Sequence, residues 1–129
     1  MESIIFIIGR TLLGGYFVYS GFNHFRMITM MSGYAQMKGV PMPKASVAFS
    51  GALLLIGGIS VLLGVYPTIG VVALALFLIP VTYLMHAFWK IHDPMARMGE
   101  MVNFTKNVAL LGAALTLLAI PQPWTVSLF

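Results

Sequence analysis

The residues that could do chemistry in this chain are few, and most lie close together. Between Met85 and Asn107 stand His86, His92, Asp93 and Glu100, with Lys90, Arg97 and Lys106 among them. Arg10 and His24 lie far upstream. Paired histidines beside amides and a phenol suit more than one chemistry. His24 and His86 could hydrogen-bond the polar head of a quinone, with Asn23, Tyr83 and Asn107 as neighbours. They could also ligate a haem iron from two helices. Haem is disfavoured, because the pair sits at the edge of its helices and no second such pair exists. A two-histidine metal site wants a carboxylate, which Asp93 or Glu100 could supply; the spacing is too weak to assign a metal. The plainest reading is a structural network in which His86, Asn107 and Asn23 satisfy one another and nearby helix ends. No cysteine is present, which excludes disulfides, thiolate metal sites and cysteine redox catalysis. No Ser-His-Asp pattern or nucleotide-binding loop appears, and no catalytic residue is assigned.

The charged groups have plain readings too. Asp93-Pro94 reads as a helix start, with aspartate as N-cap and proline in the first turn. Arg97 and Glu100, three apart, predict a solvated ion pair of small energy. His92 is expected to be exposed. With Met30 and Met31 of an earlier loop, Asp93, Arg97 and Glu100 form a candidate docking surface for another membrane subunit.

What must position these groups is a membrane fold. The chain is 60% hydrophobic and 8% charged, with a mean hydropathy of +0.96; soluble domains carry about 25% charged residues. A net charge of +4 on so apolar a chain marks loops beside anionic lipid, not a nucleic-acid surface. The first residues do not read as a secretory signal, since Glu2 stands where a basic region belongs. Four apolar stretches are long enough to cross a bilayer, at residues 4–25, 45–65, 68–89 and 104–120. The expected architecture is one all-α domain, a four-helix transmembrane bundle with one or two short interfacial helices.

Each span has a readable inner face. At 100° per residue, Arg10, Gly14, Phe17, Gly21 and His24 fall within an arc of about 80°. Such a small and polar stripe belongs inside the bundle. Ser46, Ser50, Leu53, Gly57, Ser60 and Gly64 mark a packing face of the second span. Asn103, Asn107, Leu110 and Ala114 mark the inner face of the fourth. Pro80 interrupts the third and frees the carbonyl of Leu76; beyond it Tyr83, His86 and Lys90 share one face. Met27, Met30, Met31, Tyr34 and Met37 predict a short helix lying in the headgroups, and Trp124 and Phe129 predict an interfacial tail. Arg10 lies about 10 Å inside the first span. It is a candidate anchor for an anion or a quinone carbonyl, or else it snorkels to lipid phosphate, Glu2 or helix-end carbonyls. It is about 21 Å from His24 along the helix, too far to share a small ligand. The two long loops carry Arg26, Lys38, Lys44, Lys90, Arg97 and Lys106. The positive-inside rule therefore predicts cytoplasmic loops and both termini outside.

The ordered set Gly9-Arg10, Ser20-Gly21-Phe22-Asn23-His24-Phe25, Gly33-Tyr34-Ala35, Lys38-Gly39-Val40-Pro41, Met85-His86, Phe88-Trp89, Asp93-Pro94, Asn103-Phe104, Lys106-Asn107 and Leu111-Gly112 resembles the DoxX family. Those are small four-helix membrane proteins of bacteria and archaea, and the likeness runs through nearly the whole chain. The resemblance implies a multi-pass protein of the cytoplasmic (inner) membrane. It implies an accessory or anchoring subunit of a redox assembly, since the family includes a membrane subunit of thiosulfate:quinone oxidoreductase. Other membrane subunits and the bilayer are the implied partners, quinone the implied ligand. The alternative is a subunit that only packs against a larger complex and holds no ligand. One departure matters: many relatives carry a glutamate before the Gly-Gly of the second span, and here Ile56 precedes Gly57-Gly58. An intramembrane carboxylate would be the natural proton acceptor for quinol oxidation.

Overall fold

The computed structural model describes residues 2–127, the side chain of Glu2 excepted. Phe129 lies outside them. Five α-helices follow one another: α1 Glu2–Arg26, α2 Ile28–Met37, α3 Pro43–Leu63, α4 Pro67–Met85 and α5 Pro94–Thr116, with 3-10 turns at Phe88–Lys90 and Leu117–Ala119. Among the described residues there is no strand. The four long helices carry stretches apolar and long enough to cross a membrane. The fold is an all-α bundle. They alternate in direction, so the α3–α4 turn and both ends of the described chain share one end of the bundle, here the tail end. The segment around α2 and the segment 86–93 share the other, here the loop end.

Small residues set the helix spacing. The expected stripe of α1 is buried throughout, from Arg10 through Gly14, Phe17 and Gly21 to His24. It packs on α3 so closely that a Cβ on Gly14 would stand 2.9 Å from the Gly58 carbonyl oxygen and the Leu62 amide nitrogen. Only glycine permits that approach. The core then gathers Phe17, Leu54, Val61, Leu74, Leu78 and Ala114. Gly64 ends α3 in the left-handed region (φ 71°), its N–H returning to the Ser60 carbonyl, as a C-terminal cap requires. The Ser60 hydroxyl donates to the carbonyls of Val65 and, at 3.0 Å, Tyr66. Pro67 then opens α4, where its missing N–H costs nothing.

The tail departs from the expected interfacial position. Trp124 is only 3% exposed and joins the core, edge-on to Phe6 at 5.1 Å. Arg10 explains the fold-back. A guanidinium inside a span must find acceptors. Arg10 donates to the carbonyls of Thr125, at 2.6 Å, and Val126, and lies 5.7 Å from the Trp124 ring centroid. Gln122 pins the same segment to Thr68 at 3.0 Å.

At the loop end α4 stops at Met85, short of the expected Trp89. The chain breaks there to pack rings: Phe88 and Trp89 lie edge-on to Phe104, at 5.4 and 5.8 Å. Asp93 accepts the Ala96 N–H at 2.9 Å as the N-cap of α5. That helix then runs unbroken from Pro94 into the fourth apolar stretch as far as Thr116. The short helix expected between the first two spans is α2. Its Ala35 is 3% exposed, and the helix docks on α3.

Candidate functional site

Helices α3 and α4 are tightest near the tail end, where Gly57 faces Leu74 and Gly70. Toward the loop end they part. A cavity of about 700 Å³ fills the space they leave, bounded also by α1, α2 and α5. Its walls are mainly apolar, with Phe17, Leu53, Leu54, Phe77 and Val81 among them. Pro80, which cannot bond the Leu76 carbonyl, stands in the α4 wall. Met30, Met31 and Tyr34 of α2 close the loop end. Phe49 of α3 and Leu76 and Leu84 of α4 line the cavity and are also exposed. The cavity therefore opens sideways between those two helices, toward lipid. Its polar groups include Ser20, His24, Tyr34, His86, Lys106 and Asn107.

Each of the two cavity histidines is fixed by its Nδ1. His24, 7% exposed, has Nδ1 2.8 Å from the Ser20 carbonyl oxygen one turn back, and its ring lies edge-on to Phe77. A carbonyl only accepts, so Nδ1 carries the hydrogen and Nε2 is left as an acceptor. His86 has Nδ1 3.3 Å from a carboxylate oxygen of Glu100, with the same consequence in the neutral ring. Among the described residues neither Nε2 has a partner.

Glu100 is the hub of the loop end. It is 8% exposed. It accepts from Lys38 Nζ at 2.9 Å, Asn103 Nδ2 at 3.0 Å and the Tyr34 hydroxyl at 3.3 Å, besides His86. One carboxylate thus ties α2, the segment after α4 and α5 together. Partial burial works against the Lys38 charge, but the hydrogen bond to Glu100, helped by Tyr34 and the Glu100 charge, outweighs it and holds the ammonium above its ordinary pKa. Asn107 is 6% exposed, lines the cavity and makes no hydrogen bond to any described residue. A buried amide left without a protein partner is costly. This one also borders a smaller depression of about 200 Å³ between α4 and α5, so a partner for it would come from one of these two spaces.

Several expected site residues meet here, and others do not. His24, His86 and Asn107 line one cavity. Tyr83 does not line that cavity: it is 61% exposed, packs against Trp89 and meets Asn107 only in the smaller depression between α4 and α5, because the chain leaves helical geometry at His86 and the expected Tyr83–His86 face is lost. Asn23 is not in the cavity wall, and its buried Oδ1 has no partner among the described residues. The pairing of Arg97 with Glu100 is corrected. Arg97 is exposed and lies over the Phe88 ring at 5.8 Å, while Glu100 turns inward to four donors. Burial also takes Glu100 off the expected docking surface. Met30, Asp93 and Arg97 remain exposed, and Met31 is half-buried. His92 is exposed, as expected. Arg10 is at the tail end, held by the tail carbonyls. Among the described residues no three His, Asp or Glu side chains gather as a metal site would require.

Lys38, Lys106 and the inward role of Glu100 escaped the sequence reading. The signal for Glu100 was present. It stands three residues before Asn103 and seven before Asn107, extending their inner stripe by one turn.

A family profile described as DoxX matches residues 5–87, which is α1 through α4 and His86. The chain belongs to the DoxX family. No curated protein matches the chain, and no solved structure matches it. In this DoxX protein the matched region supplies His24, Tyr34, Lys38 and His86, whereas Glu100, Lys106 and Asn107 come from α5, beyond it. The polar end of the cavity is thus assembled from both parts.

Proposed function

We propose that this DoxX protein is a membrane subunit of a redox assembly and that its loop-end cavity holds the head of a quinone. The observation that carries the reading is Asn107, an amide 6% exposed and without a hydrogen bond to any described residue, in the wall of an apolar cavity that opens toward lipid. The volume of about 700 Å³ is within the usual range for small-molecule sites, about 300–1,000 Å³. A lipid-soluble ring with polar oxygens suits apolar walls ending in His24, His86, Lys106 and Asn107. Bound there, a quinone would supply two-electron redox chemistry at the membrane boundary.

The chain's own residues would bind and orient. Asn107 and Lys106 offer donors, and the two imidazoles offer acceptors. Glu100 holds His86 in one tautomer and would stabilise the imidazolium formed if Nε2 took up a proton. The glutamate missing before Gly57 thus has a counterpart on α5, reached through His86. The six basic residues of the loop-end segments favour a cytoplasmic loop end, with both termini outside. Exposed Met30, Asp93 and Arg97 on that side suit a docking surface for partner subunits. The test is the double variant His86→Ala, Asn107→Ala in the purified assembly. Lipid extraction should find quinone, in its oxidised or reduced form, with the parent and at least about fivefold less with the variant, as expected from losing the two buried hydrogen bonds of about 0.5–1.5 kcal/mol each that the reduced head can make to His86 and Asn107. Equal occupancy would sink the proposal.

A further inference from the structure

We infer that the cavity selects the reduced, hydroxyl-bearing form of its ligand: it is a quinol site before it is a quinone site. The inference rests on the quinone reading above and deepens it. Its basis is the tautomer of two rings. The Nδ1 of His24 faces the Ser20 carbonyl oxygen, and the Nδ1 of His86 faces a Glu100 carboxylate oxygen. Both oxygens are acceptors, so both Nδ1 atoms must donate. Moving either hydrogen to Nε2 would set lone pair against lone pair in a buried place. The Glu100 charge already has the Lys38 ammonium at 2.9 Å, so the neutral His86 ring leaves no carboxylate unmatched. Both histidines therefore offer acceptor nitrogens at the cavity.

A quinone head has only carbonyl oxygens, which accept. It could be held by Asn107 and Lys106 but would find nothing to take from either imidazole. A quinol hydroxyl donates and accepts at once. It can give its hydrogen to an Nε2 and still receive one from Asn107 or Lys106. The two forms have nearly the same apolar surface, so the hydrogen-bond difference decides between them. Leaving one buried partner unmatched reduces affinity roughly tenfold, and two by more.

The experiment uses the full chain in lipid nanodiscs, titrated with a short-chain benzoquinone and with the same compound held reduced. The quinol is expected to bind at least about tenfold tighter than the quinone. In the variant His24→Gln, His86→Gln, whose amides donate as readily as they accept, that preference should fall to within about twofold. A quinone bound as tightly as the quinol by the parent overturns the inference and leaves the cavity assignment standing. Failure of both forms to bind overturns the cavity assignment itself. Nitrogen NMR of the unliganded parent gives a check that needs no variant. His24 and His86 should show a protonated Nδ1 and an unprotonated Nε2, and a protonated Nε2 on either of these two rings at neutral pH overturns the inference.

Discussion

Glu100→Gln is the sharpest test of how the loop end is held. The substitution keeps size and shape and removes only the charge. The new amide has one accepting oxygen, which can serve Lys38. Its NH2 group then faces donors on Asn103 or His86 and leaves at least one of them unmatched. The Glu100 side chain is 10% exposed and that of Lys38 23%. Deleting one partner of a fully buried pair costs about 3–5 kcal/mol, and a fully exposed pair is worth about 0.2–1 kcal/mol. The partial exposure of Lys38 discounts the buried figure, and about 1.5–3 kcal/mol of stability should be lost. Reversible unfolding by SDS titration in mixed micelles, followed by helical circular dichroism, measures it. Pairing the change with Lys38→Met in a double-mutant cycle should give a coupling of about 1–2 kcal/mol. A loss below about 0.5 kcal/mol, or strict additivity with Lys38→Met, would refute the hub, because an ordinary surface glutamate behaves that way.

Other perturbations test the remaining joints. Lys38 has a raised pKa, so its stabilisation is complete below the ordinary lysine value and is lost as pH climbs through the raised one. The parent should lose stability above the ordinary lysine range, and Lys38→Gln should remove that part of the fall, as pH-dependent unfolding would show. Gly14→Ala puts a methyl 2.9 Å from α3 backbone and should cost about 1–3 kcal/mol; Gly112→Ala on α5 meets nothing within 4 Å and should be neutral or stabilising by up to about 1 kcal/mol. Arg10→Ala frees the tail carbonyls. In a Trp89→Phe background the Trp124 emission should shift to the red, and the segment after Pro121 should become sensitive to protease.

The helix packing was legible because membrane helices announce their inner faces through small and polar residues. The α1 stripe from Arg10 to His24 follows from a 100° rotation per residue alone, and all five of its members are buried. What did not follow was anything set by irregular backbone. Hydropathy cannot tell that α4 stops at Met85, because Phe88 and Trp89 are as apolar in a ring cluster against Phe104 as they would be in a helix. The tail was misread for a related reason. Tryptophan at a chain end suits the interface, yet Arg10 inside the first span required acceptors, and the carbonyls beyond Trp124 supply them.

Glu100 shows how a local rule can hide a longer one. Arg97 three residues earlier invited an ion pair, a pattern complete within one turn. The competing pattern needed three more turns, through Asn103, Asn107 and Ala114, and it placed the carboxylate inside. Packing decides between the two. An exposed Arg97–Glu100 pair is worth a few tenths of a kcal/mol, whereas turning Glu100 inward satisfies donors on Lys38, Asn103, Tyr34 and His86 together. Tyr34 is exposed and water could serve it, but Lys38, Asn103 and His86 would otherwise stand partly buried with a donor unmatched, at a cost of up to about 1–3 kcal/mol each. The same balance makes the His86 tautomer a property of the fold, set before any ligand arrives. The acceptor that the cavity presents is therefore fixed by a carboxylate fourteen residues away in sequence.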